Sequence, residues 1–240
     1  ALLIVIVNAL LLRSKPEDER LLPWGTPDSE ATVAQAAPSA VKQKTSYAGI
    51  IGIPNFWLIG FSYLLIAASL YMTLTFMVDY ARYELGFVYG KASSLATIHG
   101  LGQIAGVLTV PILSDYIGRR LTILFSNICI AISIACIILS GSNEISLFIS
   151  VGFLGAFFGS TFPMYGACGG DYFRKEVMGT VIGALTLFYG CGAIVANRFG
   201  GHIRDITGSF FIPFTAAIVA AACAAVLFFF VKYPKEGSEP

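Results

Sequence analysis

Long hydrophobic stretches without Asp, Glu, Lys or Arg alternate along this chain with short polar segments. Six of them are longer than the roughly 20 residues that a helix needs to cross a bilayer: Pro54–Val78, Ala92–Ser114, Leu121–Gly141, Ile145–Gly169, Val177–Asn197 and Ser209–Val231. One such charge near the centre of a span costs about 2.5–3.5 kcal/mol on insertion. Buried helices of soluble proteins are rarely so long or so numerous. The pattern therefore predicts an all-α membrane protein with six transmembrane helices in a lipid bilayer.

Composition supports a membrane protein. Of the 240 residues, 56% are hydrophobic and 12% are charged, against about 45–50% and 25% in soluble domains. The net charge of +1 and the lack of a basic patch give no indication of a nucleic-acid partner. The five cysteines lie in apolar runs, with spacings that fit neither a zinc site nor a disulfide framework. We predict no metal site and no cofactor.

The first 48 residues differ from the rest. Residues 1–12 are apolar but reach only about 18 Å as a helix, and a signal peptide would place its positive charges first. We interpret them as the end of a truncated transmembrane helix. Residues 13–48 are rich in Pro, Ser, Ala and charge, which is typical of a solvent-exposed linker. The predicted domains are thus this helix, the linker, a six-helix unit at 49–231 and a tail at 232–240.

The Lys and Arg residues predict the orientation in the membrane. Eleven of the fifteen lie in the linker, the tail or the loops on the same side, and the other four are Arg82, Lys91, Arg198 and Arg204. Positive residues are enriched in cytoplasmic loops. We therefore expect the linker and the C-terminus to be cytoplasmic, with the protein in the plasma (inner) membrane.

Two short motifs recur at similar offsets. D-Y-x-R begins at Asp79 and again at Asp171, 92 residues later, each time at the end of an apolar stretch. The motif [LI]-x-D-x-x-G contains Asp115 in its first copy and Asp205 in its second, 90 residues apart. Either match alone is weak, because helix ends favour Asp, Gly and Arg. Together they predict that three helices are repeated in the opposite membrane orientation, an inverted 3+3 repeat typical of secondary transporters.

The turn at 114–120, which reads S-D-Y-I-G-R-R, resembles the D-x-x-G-R-[RK] turn of the major facilitator superfamily. Gly118 permits a tight bend. Asp115 can cap a helix or pair with an arginine. Arg119 and Arg120 would anchor the cytoplasmic side. The resemblance implies a turn that takes part in gating.

The second half of the chain is similar to the same family. Gly179–Phe210, with Asp205 and Gly208 in its D-x-T-G-S-F segment, looks like helix 11 and the turn to helix 12 of the monocarboxylate and oxalate/formate branches. Residues 13–25 look like the start of the family's central loop. A departure is Pro111, where the family usually has Gly. The resemblance implies helices 7–12 of a twelve-helix carrier, whose missing N-terminal half is the partner in the same polypeptide.

In this family helices 7, 8, 10 and 11 line the central cavity. The resemblance therefore implies these candidate substrate contacts: Tyr71, Thr75, His99, Gln103, Thr161, Tyr165, Tyr189, Asn197 and Arg198. Tyr71 and Thr75 share a helix face with Asp79, which is either a proton site or a cap at the outer helix end. His99 lies within a span, which is costly enough to suggest function, although an interhelical hydrogen bond is the alternative. Gly102 and Gly106 form a G-x-x-x-G step typical of helix packing.

We expect a secondary transporter, not an enzyme, that moves a small solute by alternating access. Arg198 would attract an organic anion or extend to the outer interface. Where oxalate/formate carriers are expected to have a basic residue in helix 11, this chain has Tyr189, which argues against a dicarboxylate and leaves a monocarboxylate open. The alternatives are a membrane receptor or structural module, and an intramembrane protease. For a protease, Ser160 lacks the expected G-x-S-G, His202 falls in a predicted loop and His99 lies toward the opposite face from Ser160.

Overall fold

The computed structural model of the chain describes residues 50–173 and 177–232. Within these ranges the chain forms six α-helices: α1 (Pro54–Tyr83), α2 (Tyr89–Ile117), α3 (Arg119–Ser140), α4 (Glu144–Tyr172), α5 (Met178–Thr207) and α6 (Phe211–Phe229). All six are long and apolar enough to cross a membrane. The predicted all-α membrane fold is confirmed. The predicted helix at 1–12, the linker at 13–48 and residues 233–240 of the tail lie outside the described residues.

Several helices are longer than the uncharged stretches that predicted them. α1 continues past Val78 to Tyr83, and α5 continues past Asn197 to Thr207. A helix of 30 residues is about 45 Å long, which matches a bilayer with its headgroup regions. Charged residues therefore begin where a helix leaves the hydrocarbon, while its backbone hydrogen bonding continues into the interface.

Contacts between helix ends show which ends share a side of the bundle. We call the end at which α1 begins the proximal end. There the Asn55 side-chain amide donates to the Lys232 carbonyl over 2.7 Å, and Arg119 at the start of α3 pairs with Asp171 at the end of α4. At the opposite, distal end, Glu84 after α1 accepts a hydrogen bond from the backbone N–H before α6. Consecutive helices therefore alternate in direction.

The packing repeats after three helices. α1 packs mainly on α5 and α6, α4 mainly on α2 and α3, and α3 on α6. Exchanging α1–α3 with α4–α6 leaves this pattern unchanged. Both predicted turn glycines also have a positive φ, +94° at Gly118 and +71° at Gly208. The Gly118 N–H donates to the Ser114 carbonyl over 2.9 Å, and the Gly208 N–H donates to the Arg204 carbonyl over 2.8 Å, in each case four residues earlier. The inverted 3+3 repeat is confirmed.

Glycines allow α2 and α4 to cross at backbone contact. A Cβ atom on Gly106 would lie 1.8 Å from the carbonyl oxygen of Ala156, and one on Gly102 would lie 2.2 Å from that of Gly152. In the other direction, a Cβ on Gly155 would lie 2.2 Å from the carbonyl oxygen of His99. The predicted packing role of the G-x-x-x-G step is confirmed, and this crossing fixes the backbone at His99.

A buried polar network holds four helices together. The Tyr165 hydroxyl of α4 lies 2.8 Å from Ser62 Oγ of α1 and accepts a hydrogen bond from Asn127 Nδ2 of α3 over 3.0 Å. Ser62 also donates to the Ala224 carbonyl of α6 over 2.8 Å. Since these groups are buried, leaving any of them unpaired would be costly. The network therefore specifies how α1, α3, α4 and α6 are rotated against one another.

Candidate functional site

Predicted cavity residues meet where α1 and α5 run side by side. The Tyr71 and Tyr189 ring centroids are 5.6 Å apart, and the Thr75 hydroxyl donates to Asn197 Oδ1 over 2.7 Å. Both tyrosines are half-buried, whereas Thr75 and Asn197 are exposed. We call these four residues the open face, since they lie on a surface that the described helices do not cover, and the exposed Arg198 follows Asn197 in the chain.

Tyr63, which was not predicted from the sequence, lies between the open face and the interior of the bundle. The buried Tyr63 ring stacks on Tyr165 at 4.4 Å and 10°, and its other neighbour is Tyr189 at 4.6 Å. Tyr63 precedes Tyr71 by eight residues and so lies on the same side of α1. This spacing was a signal that could have identified it. Through these rings the position of Tyr189 depends on Tyr165 in the interior.

His99 lies deeper, next to α4. Its Nδ1 is 3.0 Å from the Gln103 amide nitrogen, so these two candidates form the expected i, i+4 pair. The His99 ring is 5.2 Å from Phe158, which is itself 5.7 Å from Tyr71. Phe158, a second missed residue, thus connects His99 to the open face. The other ring nitrogen, Nε2, is buried and has no hydrogen-bond partner within the described ranges.

Two further candidates lie inside the bundle. Tyr165 is buried, and its hydroxyl belongs to the network with Asn127. Thr161 is also buried and donates to the Phe157 carbonyl of its own helix over 2.7 Å. Neither lies on the open face, because both point towards the neighbouring helices of this unit. Asn127 was missed, although an amide in an otherwise apolar span was a visible signal.

The pairing that an intramembrane protease needs is not formed in the described residues. The Ser160 hydroxyl donates to the Phe157 carbonyl over 3.0 Å, and His99 is bonded to Gln103.

The proximal turn joins the two repeats. Arg119 lies 3.8 Å from Asp115 and also pairs with Asp171 of α4, the aspartate of the second D-Y-x-R motif. Asp115 thus pairs with an arginine, and α3 has no side-chain cap. Arg120 donates to the Phe229 carbonyl at the end of α6. Two of the four turn residues therefore hold α4 and α6 to the start of α3.

The distal turn lacks this arginine. Ser209 lies 90 residues after Arg119 and so occupies the equivalent position. Asp205 pairs only with its neighbour Arg204, over 3.4 Å, among the residues that the structure describes. Asp79, the counterpart of Asp171, is exposed. The two turns are therefore held differently: Arg119 pairs with Asp171 of α4 at the proximal turn, whereas at the distal turn the backbone N–H of Phe210 donates to Glu84.

We expect Asp171→Asn to lower the stability of the protein in detergent by about 1 kcal/mol, because it removes a half-exposed ion pair that joins α3 to α4. Asp115→Asn is the matched control, since this carboxylate faces the same arginine from 3.8 Å with 67% of its side chain exposed. It should change the melting temperature very little. Equal losses in both variants would contradict the assignment of Asp171 as the main partner of Arg119.

Sequence comparison identifies the family. The profile of the Major Facilitator Superfamily matches residues 59–240. The "Uncharacterized MFS-type transporter YhjX" of Escherichia coli strain K12 is 21% identical over 194 residues, which cover 81% of this chain and 45% of that protein. The chain therefore spans about half the length of this relative.

Solved transporter structures share the fold. A variant of the E. coli fucose:proton symporter FucP superposes with a TM-score of 0.70 at 12% identity, over 85% of this chain and 52% of that one. The POT family transporter PepTSo gives 0.63 at 16% identity, over 78% and 39%. At these identities the likeness shows the fold alone. Since the family profile covers the chain from the first turns of α1 onwards, this membrane protein belongs to the major facilitator superfamily.

Proposed function

We propose that the chain forms one wall of a secondary active transporter that moves a small organic anion, of the monocarboxylate type, by alternating access. The observation that carries the proposal is the open face, where polar and aromatic side chains predicted from the sequence lie together, with the exposed Arg198 next to Asn197 in the chain. Membership of a transporter family supports transport over the receptor, structural and protease alternatives.

The chemistry of the open face suits a single carboxylate. Thr75 donates to Asn197 Oδ1, which leaves the Asn197 amide nitrogen as a donor. Arg198 is exposed and has no ion-pair partner in the described part of the chain. A guanidinium offers two parallel donors to a carboxylate. Arg204, the other arginine of α5, pairs with Asp205, and Tyr189 lies where the resemblance implies a basic residue in oxalate/formate carriers. A monocarboxylate therefore balances the charge of Arg198 better than a dicarboxylate does.

Alternating access needs a second wall opposite the open face. This chain covers 52% of the FucP chain and 39% of the PepTSo chain. We propose that another six-helix half, the predicted N-terminal half, supplies that wall. We further propose that the proximal end is cytoplasmic, because eleven of the fifteen Lys and Arg residues precede α1, follow α6, lie between α4 and α5 or are the first two residues of α3 in the sequence.

Uptake by proteoliposomes containing the full-length protein tests the proposal. We expect uptake of at least one organic acid from a panel of acids, sugars and drugs, and we expect Arg198→Ala to lower uptake at low substrate concentration about tenfold, as loss of a charge-assisted contact predicts.

The control for this variant is Arg82→Ala, an exposed arginine at the end of α1 that stacks on Tyr83 and Tyr89. It should retain parental uptake. Uptake of a sugar or a drug but of no acid would refute the anion assignment. Equal uptake by the parent and Arg198→Ala would remove Arg198 from the site.

A further inference from the structure

Four aromatic rings from three helices form a continuous patch that includes the two tyrosines of the open face. The Tyr71 ring of α1 lies 5.7 Å from Phe158 of α4 and 5.6 Å from Tyr189 of α5, between centroids. Tyr189 in turn lies 6.5 Å from Phe162 of α4. Phe158 and Phe162 are four residues apart and so share a face of α4. We call these four residues the aromatic quartet.

Phe162 is the exposed member of the quartet. With 54% of the residue exposed, its ring contacts Tyr189 and therefore lies beside the open face. Phe153, nine residues earlier and so on the opposite side of α4, is exposed to a similar extent but contacts Phe157. In the proposed transporter the open face borders the solute pathway, so the Phe162 ring is available to a solute there.

The chemistry of the quartet determines which solute group fits. Its three ring contacts have interplanar angles of 62°, 74° and 73°, the edge-to-face arrangement in which the positive edge of one ring meets the negative face of another. A further ring can join the patch in the same way. The two phenylalanines offer no hydrogen-bonding group, so the hydroxyls of a sugar or a second carboxylate would lose water there without replacement. The quartet therefore favours a flat, apolar ring.

The spacing along α1 relates this ring to the carboxylate. Thr75, which is bonded to Asn197, follows Tyr71 by four residues, a rise of about 6 Å. The proposed function places the carboxylate at the Asn197 amide and Arg198. A group joined to that carboxylate through a short link of about two carbons then reaches the Tyr71 ring, about one helical turn away.

We infer that the substrate is an aryl-substituted monocarboxylate, whose carboxylate binds at Asn197 and Arg198 and whose ring binds on the aromatic quartet. The inference rests on the proposed function and narrows its substrate class. The buried Tyr63 ring lies 4.6 Å from Tyr189 on the interior side, so this part of the quartet is held in place before a substrate arrives. Such preorganisation lowers the cost of binding.

The experiment measures uptake by the full-length protein in liposomes at about pH 8, where carboxylic acids are ionised. The probes are 3-phenylpropanoate, 3-cyclohexylpropanoate and propanoate, and protein-free liposomes give the background flux. We expect the half-saturation concentration of the phenyl acid to be at least about tenfold below that of propanoate, as burial of the ring predicts. It should be about threefold below that of the cyclohexyl acid, because a saturated ring lacks the charged edge and face that match the quartet.

Phe162→Ala should lower the preference for the phenyl acid over propanoate about fivefold, because it removes the exposed ring of the quartet. Phe162→Leu keeps apolar bulk and should lower the preference for the phenyl acid over the cyclohexyl acid. Phe153→Ala is the matched control, since it truncates a phenylalanine of the same helix that is 60% exposed on the opposite side. It should keep both parental preferences.

Equal half-saturation by the phenyl acid and either comparison acid would overturn the aryl assignment and leave the proposed function standing, as would uptake of other organic acids without the phenyl acid. Unchanged preferences in the Phe162 variants would also overturn it. So would an equal loss for the phenyl acid and propanoate, because Phe162 would then only pack against the second wall. No uptake of any organic anion by the parent would overturn both proposals. If Phe162→Ala does not fold, Phe162→Leu decides.

Discussion

Replacing Gly106 by alanine is expected to destabilise the protein severely, although it adds only one methyl group. The new Cβ would lie 1.8 Å from the Ala156 carbonyl oxygen, where an ordinary contact begins at 3.4 Å. The obstacle is backbone, which cannot rotate away, so α2 and α4 must separate by more than an ångström. We expect a loss of about 3 kcal/mol, at the upper end of the usual cost of overpacking. Thermal unfolding of the purified protein in detergent measures it.

Gly100→Ala is the matched control on the same helix. A Cβ on Gly100 meets nothing within 4 Å, and alanine favours a helix by about 1 kcal/mol over glycine. The control should therefore leave the melting temperature unchanged or raise it, whereas Gly106→Ala lowers it. Similar melting temperatures for both variants would show that α2 and α4 do not cross at backbone contact.

The six helices were predictable because lipid imposes a rule on sequence that water does not. A span tolerates few charges, so an uncharged stretch such as Pro54–Val78 identifies a helix before any packing is known. The inverted repeat was also visible, since its turns need an aspartate and a glycine at fixed spacing. The ends of the helices were not, because a helix such as α5 continues into the interface, where charges are permitted.

The open face was predicted in part. Tyr71, Thr75, Tyr189 and Asn197 follow the helical period, and so their common faces could be found from spacing. Which of two polar residues on a cavity-lining helix faces inward depends on how that helix is rotated against its neighbours. Sequence spacing does not contain this rotation, which is why Tyr165 was expected to line the cavity and is instead buried with Asn127.

That buried position makes Tyr165 the second site at which a single substitution should have a large effect. Its ring stacks on Tyr63 at 4.4 Å and contacts Phe228 at 5.6 Å, and its hydroxyl joins Ser62 and Asn127. Removing the ring leaves a cavity among four helices. We expect Tyr165→Ala to cost about 3–5 kcal/mol, as for other large aromatic truncations.

Tyr165→Phe separates the two contributions. It keeps both ring contacts but leaves the buried Asn127 amide without its acceptor and removes one partner of Ser62, which should cost about 1–3 kcal/mol. Tyr116→Phe and Tyr116→Ala are the controls, because Tyr116 is 84% exposed and both should be close to neutral in detergent. If Tyr165→Phe were as stable as the parent, the hydroxyl network would not determine how α1, α3 and α4 are rotated. Because Tyr63 links Tyr165 to Tyr189, Tyr165→Ala should also weaken substrate uptake, while Tyr165→Phe should largely retain it.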